Sequence, residues 1–148
     1  MSIYAAQGTS AVAARTALNL VSAASIRPRL LDYVLSTTGA PNSDASYEIQ
    51  LKRFTAAGTS TAVVLAATDS SDPLPPILAA GSNNTVEPTY TGTPIDDRGV
   101  NPRSTWRWQA YDQRAEIIMP ATAASGLGFL VALLGGASTI IVDAKVLQ

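Results

Sequence analysis

The groups in this chain that could move a proton are carboxylates, because its 148 residues include no histidine and no cysteine. General acid and base work needs titratable groups held at useful distances, and the closely spaced pairs are Asp69 with Asp72 and Asp96 with Asp97. Adjacent residues on an extended backbone point apart, so Asp96 and Asp97 are poorly placed to share a proton. Cleaving a sugar would require two of Asp69, Asp72, Asp96, Asp97 and Glu116 to converge at roughly 5 to 10 Å. The four aspartates could also hold a hard cation, but the spacing of an EF-hand loop is missing. A serine, histidine and aspartate triad is impossible without histidine. Disulfides and thiolate metal sites fall with cysteine. Gly126 and Gly128 bracket too short a segment for a phosphate loop and lack its strand-to-helix context. Asn83 to Thr85 matches a glycosylation acceptor, a pattern common by chance, and receives no role. The expectation is no catalytic, cofactor-binding or metal-binding residue.

Trp106 and Trp108 offer a second kind of chemistry, since flat aromatic faces stack on sugars and bases. Two aromatics at i and i+2 on a strand share a face, and inward core anchors are the expected reading. Arg107 and Arg114 are expected to pair across strands with Glu116 and Asp112, each exposed pair worth at most about 1 kcal/mol.

These residues need strands to carry them. Ser46 to Phe54 and Ser104 to Tyr111 alternate apolar and polar residues with period two, the mark of strands with one face on a core and the other in water. Tyr47, Ile49 and Leu51 should therefore face inward, opposite Glu48, Gln50 and Lys52. The length fits one domain. Charged residues make up only 14% of the chain, below the roughly 25% usual for soluble domains, which suits a surface that packs against other proteins. A net charge of −1 supplies no basic footprint for nucleic acid. The N-terminal stretch lacks the cationic start and apolar block of a signal peptide. Residues 117 to 142 carry no charge and are long enough for a membrane helix, yet Pro120, four glycines and the run Thr139 to Val142 disfavour a helix. No membrane association is expected.

The spacing predicts an arm over residues 1–15 and a β-sandwich domain over 16–148. Strands are expected at 16–23 and 26–36, a loop at 37–44, and a hairpin joining 46–54 to 59–67 through Ala57 and Gly58. Asp72 could cap a short helix from Pro73 to Ala80. Residues 81–103 read as a long connection with one short strand at 86–90. A second hairpin joins 127–134 to 138–147 through Gly135 and Gly136. The fold class is all-β, a single-domain sandwich or jelly roll of about eight strands.

The order of segments, from IRPRLLDYVLSTTG through SYEIQLKRFTAAGTST, DSSDPLPP and STWRWQAYDQRAEIIMPAT to a glycine-containing apolar hairpin, resembles the small β-sandwich proteins of tailed-phage structural gene clusters, among them capsid decoration or cement proteins. The resemblance spans residues 16 to 147 and rests on strand patterns and turns. It implies a non-enzymatic virion protein, made in the host cytoplasm, that binds the outer surface of the phage head. It further implies homotrimers bridging the major capsid protein, with the N-terminal arm reaching a neighbour. The alternative is a head-fibre or tail-associated module that contacts a host glycan through residues 81–103 and the aromatic strand.

Overall fold

A computed structural model describes residues 2–38, 46–73, 79–135 and 138–148. Among them are twelve strands: β1 (Ile3–Ser10), β2 (Arg15–Val21), β3 (Arg29–Thr38), β4 (Tyr47–Ala56), β5 (Thr59–Val63), β6 (Ala66–Ala67), β7 (Ala79–Val86), β8 (Thr89–Val100), β9 (Trp106–Gln109), β10 (Ile117–Ile118), β11 (Gly126–Leu134) and β12 (Thr139–Leu147). They form two antiparallel six-stranded sheets. The first runs β10-β3-β12-β1-β6 with β9 also paired to β3, and the second runs β5-β7-β2-β11-β4-β8. The chain is an all-β sandwich, as its alternating segments predict.

The core lies between the sheets. Leu30, Tyr33 and Leu35 from β3 and Ile140, Val142, Ala144 and Val146 from β12 meet Leu18 and Leu20 from β2 and Leu127 and Phe129 from β11, all at 2% exposure or less. Every second residue of β12 faces inward while Asp143 and Lys145 face water, the burial that a period of two imposes. Tyr47, Ile49 and Leu51 are buried in the same cluster, as their alternation predicts.

The expected N-terminal arm is instead an inner strand. Residues Ile3 to Ser10 pair in continuous register with β12, from Ile3 against Leu147 to Ser10 against Ile140, and β6 pairs on the other side of β1. Tyr4, Ala6, Gly8 and Ser10 alternate inward. Beyond Tyr4 the inward residues are small, which hides the period-two signal, and the packing explains it: a Cβ at Gly8 would collide with the Ala17 carbonyl and the Leu18 side chain of β2.

Both expected hairpins are also corrected. β4 lies between β11 and β8, whereas β5 sits at the opposite edge beside β7. Ala57 and Gly58 therefore bend a continuous strand. The partner of β4 and β5 is the segment read as a long connection, since β8 pairs with β4 from Val100 against Tyr47 to Thr89 against Ala56, and β7 continues along β5 from Val86 against Thr59 to Ala80 against Val63. The result is one long two-stranded ribbon with a corner at Gly58 and Glu87-Pro88. Gly58 takes φ +70° there, against the Val86 carbonyl, a conformation that glycine adopts without cost. The C-terminal pair fails as a hairpin for a different reason: β11 belongs to the second sheet and β12 to the first; of the expected turn residues, Gly136 lies outside the described residues. Residues 74–78 of the expected helix also lie outside them, and Ala79 and Ala80 begin β7. Of the loop predicted at 37–44, Thr37 and Thr38 complete β3 and the remainder lies outside the described residues.

The ribbon folds over the outward face of the second sheet. Asn19 alternates with the core residues Leu18 and Leu20, yet it is fully buried and its amide donates to the Ala57 carbonyl at 3.3 Å. Phe54 is likewise buried but lies outside the core cluster; its ring meets Tyr90 edge-on at 6.3 Å. Gly126 and Gly128 make room for this layer. A Cβ on Gly126 would strike the Leu20 carbonyl and the Phe54 ring, and one on Gly128 would strike Tyr90. The two glycines thus serve close approach.

Candidate functional site

Of the residues singled out in the sequence, Trp106, Trp108 and Asp96 gather where the two sheets meet along one side. β9 pairs with β3, placing Trp108 opposite Tyr33 and Trp106 opposite Leu35. Tyr33 stacks on Trp108 at 5.4 Å and 24°, meets Trp106 at 5.6 Å and 44°, and touches Phe129 of the other sheet edge-on at 5.1 Å. From the second sheet, β8 supplies Asp96 and Arg98. Asp96 accepts a short hydrogen bond from the Tyr33 hydroxyl and a contact at 2.8 Å from Arg98 Nε, while the Arg98 guanidinium lies 4.7 Å above the Trp106 ring. Both tryptophans pack against the core beside Tyr33 and are half-buried on β9, a short edge strand.

Burial raises the Tyr33 phenol far above its ordinary range, and the hydrogen bond to Asp96 and the Asp96 charge push it the same way, against an opposing pull from Arg98. The hydrogen bond and charge of Asp96 also raise Arg98. A phenol held protonated and donating to a carboxylate that Arg98 also engages is a clasp. It closes the side of the sandwich by joining β8 of one sheet to β3 and β9 of the other.

The remaining candidates are dispersed. Asp97 points away from Asp96, as adjacent strand residues must, and accepts from the Gln50 amide at 3.1 Å. Asp69 accepts from the Ser71 backbone at 2.8 Å, and the Asp72 amide donates to the Asp69 carbonyl at 3.1 Å. Asp112 caps its turn by accepting from the amides of Arg114 and Ala115 at 2.7 and 3.0 Å. Glu116 pairs with Arg29 at 3.0 Å. Arg107 grips Asp32 with two bonds, Nε to Oδ1 at 2.9 Å and Nη2 to Oδ2 at 2.5 Å, and Lys145 adds a longer contact at 3.8 Å. Arg107 and Glu116, expected to pair with charges near them in sequence, therefore find their partners on β3 instead, and Asp112 serves the backbone of its own turn. Sequence reasoning passed over Asp32 and Arg29, although a lone carboxylate inside LLDYVL was a signal that a cation must cover it. Among the described residues no three acidic side chains gather to hold a metal ion.

No family model, curated protein or solved structure matches the chain.

A second polar knot pins the ribbon corner to β2. Glu87 accepts from the Thr16 amide at 2.9 Å and its hydroxyl at 2.5 Å, with Arg15 Nη1 at 3.4 Å; the Tyr90 hydroxyl shares the Thr16 oxygen at 2.6 Å. Burial lifts the Tyr90 phenol well above its ordinary range; the Thr16 bond opposes this and the Glu87 charge adds to it. Beside the knot is an open cavity of about 290 Å³ lined by Ser10, Val12, Arg15, Asn83 and Asn84 among others. Arg15 is already engaged there by the Asn84 carbonyl at 3.0 Å and by Glu87. Asn83 is exposed on β7 at φ +52°. The charges of both knots fasten strand to strand.

Proposed function

We propose that this chain is a non-enzymatic structural subunit, and specifically a decoration or cement protein on the outer surface of a phage head. One observation carries the reading: the ionisable side chains at both polar centres are spent on joining strands, Asp96 with Tyr33 and Arg98, and Glu87 with Thr16 and Arg15. Composition supports it, since a weakly charged surface associates with other proteins at little desolvation cost. A rigid sandwich that binds an assembled shell and not its dissociated subunits stabilises that shell by mass action. The arm has no place in this reading, because the segment that would reach a neighbour is held between β12 and β6. Bridging falls to the faces and edges of the sandwich.

The glycan-binding alternative is the weaker reading. Trp108 stacks on Tyr33, and Trp106 meets Tyr33 and carries Arg98 over its ring, so both rings already serve the clasp and neither stands free as a sugar platform.

The test is addition of the purified protein to phage heads assembled without it. Co-sedimentation with the shells and a rise in their melting temperature are expected. Shells that neither bind the protein nor gain thermal stability would contradict the proposal.

A further inference from the structure

Bulges re-aim side chains and are over-represented beside functional sites, and β7 carries one where it meets β5. Thr59 pairs with Val86 and Thr61 with Ser82, so Asn83, Asn84 and Thr85 stand against Ser60 alone. Asn83 takes φ +52° there, a conformation uncommon for a residue with a side chain. The bulge lies against the open cavity of about 290 Å³ formed by β1, β2 and β7, at the lower end of the roughly 300 to 1,000 Å³ of small-molecule sites.

The polar groups around this cavity are incompletely used. Arg15 spends Nη1 on the Asn84 carbonyl and on Glu87. Its Nε and Nη2, the Thr9 hydroxyl and the Asn83 side-chain amide have no hydrogen-bond partner among the described residues. Asn84 is 7% exposed, and its Oδ1 likewise accepts no hydrogen bond among them. The Asn84 Nδ2 reaches the Val86 carbonyl only at 3.4 Å, so the amide can turn toward a donor in the cavity, and a buried acceptor is costly until one arrives.

We propose that this cavity binds a neutral saccharide through a single pyranose ring. Charge sets the class. Arg15 lies 3.4 Å from Glu87 and every other side chain lining the cavity is uncharged, so an anion would meet a carboxylate as well as the guanidinium. A hydroxyl both donates and accepts, which matches the groups on offer: donors on Arg15, Asn83 and Thr9, and acceptors on Asn83 and Asn84. The edge formed by Nε and Nη2 of Arg15 is a planar fork that holds two oxygens side by side, here those of neighbouring ring hydroxyls. Val12, 58% exposed, and Ala11 supply apolar contact for the C–H face of the ring. The site uses none of the aromatic clasp, goes beyond shell binding and does not depend on it.

Titration of the isotope-labelled chain with the methyl glycosides of glucose, mannose and galactose, followed by backbone amide resonances, tests this, because all three present neighbouring ring hydroxyls. Saturable shifts are expected at residues 9–12 and 83–84, and sodium acetate should bind more weakly than the glycosides. Thr9→Val removes one hydroxyl at nearly constant volume, and Asn83→Gly removes one amide at a φ that glycine adopts without cost. Each should weaken binding by about fivefold, the loss of one hydrogen bond, with a melting temperature close to that of the parent. Absence of shifts at these residues with all three glycosides, tighter binding of acetate than of any glycoside, or variants that bind like the parent would each overturn the proposal.

Discussion

Tyr33→Ala should lower the stability of the folded chain by about 3 to 5 kcal/mol, the cost of deleting a large buried ring and leaving its volume empty. The ring is 2% exposed, and three aromatic neighbours from two sheets rest on it. Removing it unseats both tryptophans of the chain, so urea titration followed by tryptophan emission should report the loss and a red shift of the folded-state spectrum together. Tyr33→Phe separates packing from the hydroxyl. It leaves the stack in place and removes one donor from Asp96, which keeps Arg98, so a cost near about 1 kcal/mol is expected. If Tyr33→Ala cost less than about 1 kcal/mol, the clasp would not be holding the sheets together.

The second large effect is expected at Gly126. The backbone φ at this residue is ordinary for any side chain, and space is the obstacle: a methyl group would enter the Leu20 carbonyl of β2 and the Phe54 ring. A carbonyl in a ladder hydrogen bond cannot rotate away as a flexible side chain would. Overpacking of this kind costs about 1 to 3 kcal/mol and sometimes more, and Gly126→Ala should fall at the upper end, because both the sheet and the ribbon above it must shift. Gly99→Ala is the control. Nothing lies within 4 Å of a Cβ there, and the change should stay within about 0.5 kcal/mol of the parent. Equal melting curves for the two variants would contradict the ribbon's crossing over β2 and β11.

The extent to which the sequence foretold the molecule depended on side-chain size. Large alternating residues such as Tyr47, Ile49 and Leu51 revealed both their strand and its inner face, because a period of two with bulky side chains has no other economical fold. β1 was missed because, beyond Tyr4, its inward residues are Ala6, Gly8 and Ser10, which bury little area each, and alternation among small residues barely differs from a polar arm. The turn signals were located well and interpreted poorly. Gly58 needs a positive φ whether the chain reverses or merely bends, so one residue cannot tell a hairpin from a corner in a long ribbon. Gly135 stood between two real strands, but the sheet to which each belongs is decided by contacts far along the chain. The same limit applied to the clasp. Trp106 and Trp108 were expected to face inward together, and they do, but their half-burial follows from the edge position of β9. Arg107 was expected to find a carboxylate across a strand; that it is Asp32 follows only from β9 lying beside β3.

Electron microscopy of purified phage particles labelled with an antibody against this chain tests the central claim most directly. Label on the outer surface of the heads, with the polypeptide recovered from the same particles by mass spectrometry, is the predicted result. Heads without label, and a chain found only in the soluble fraction of the lysate, would contradict it.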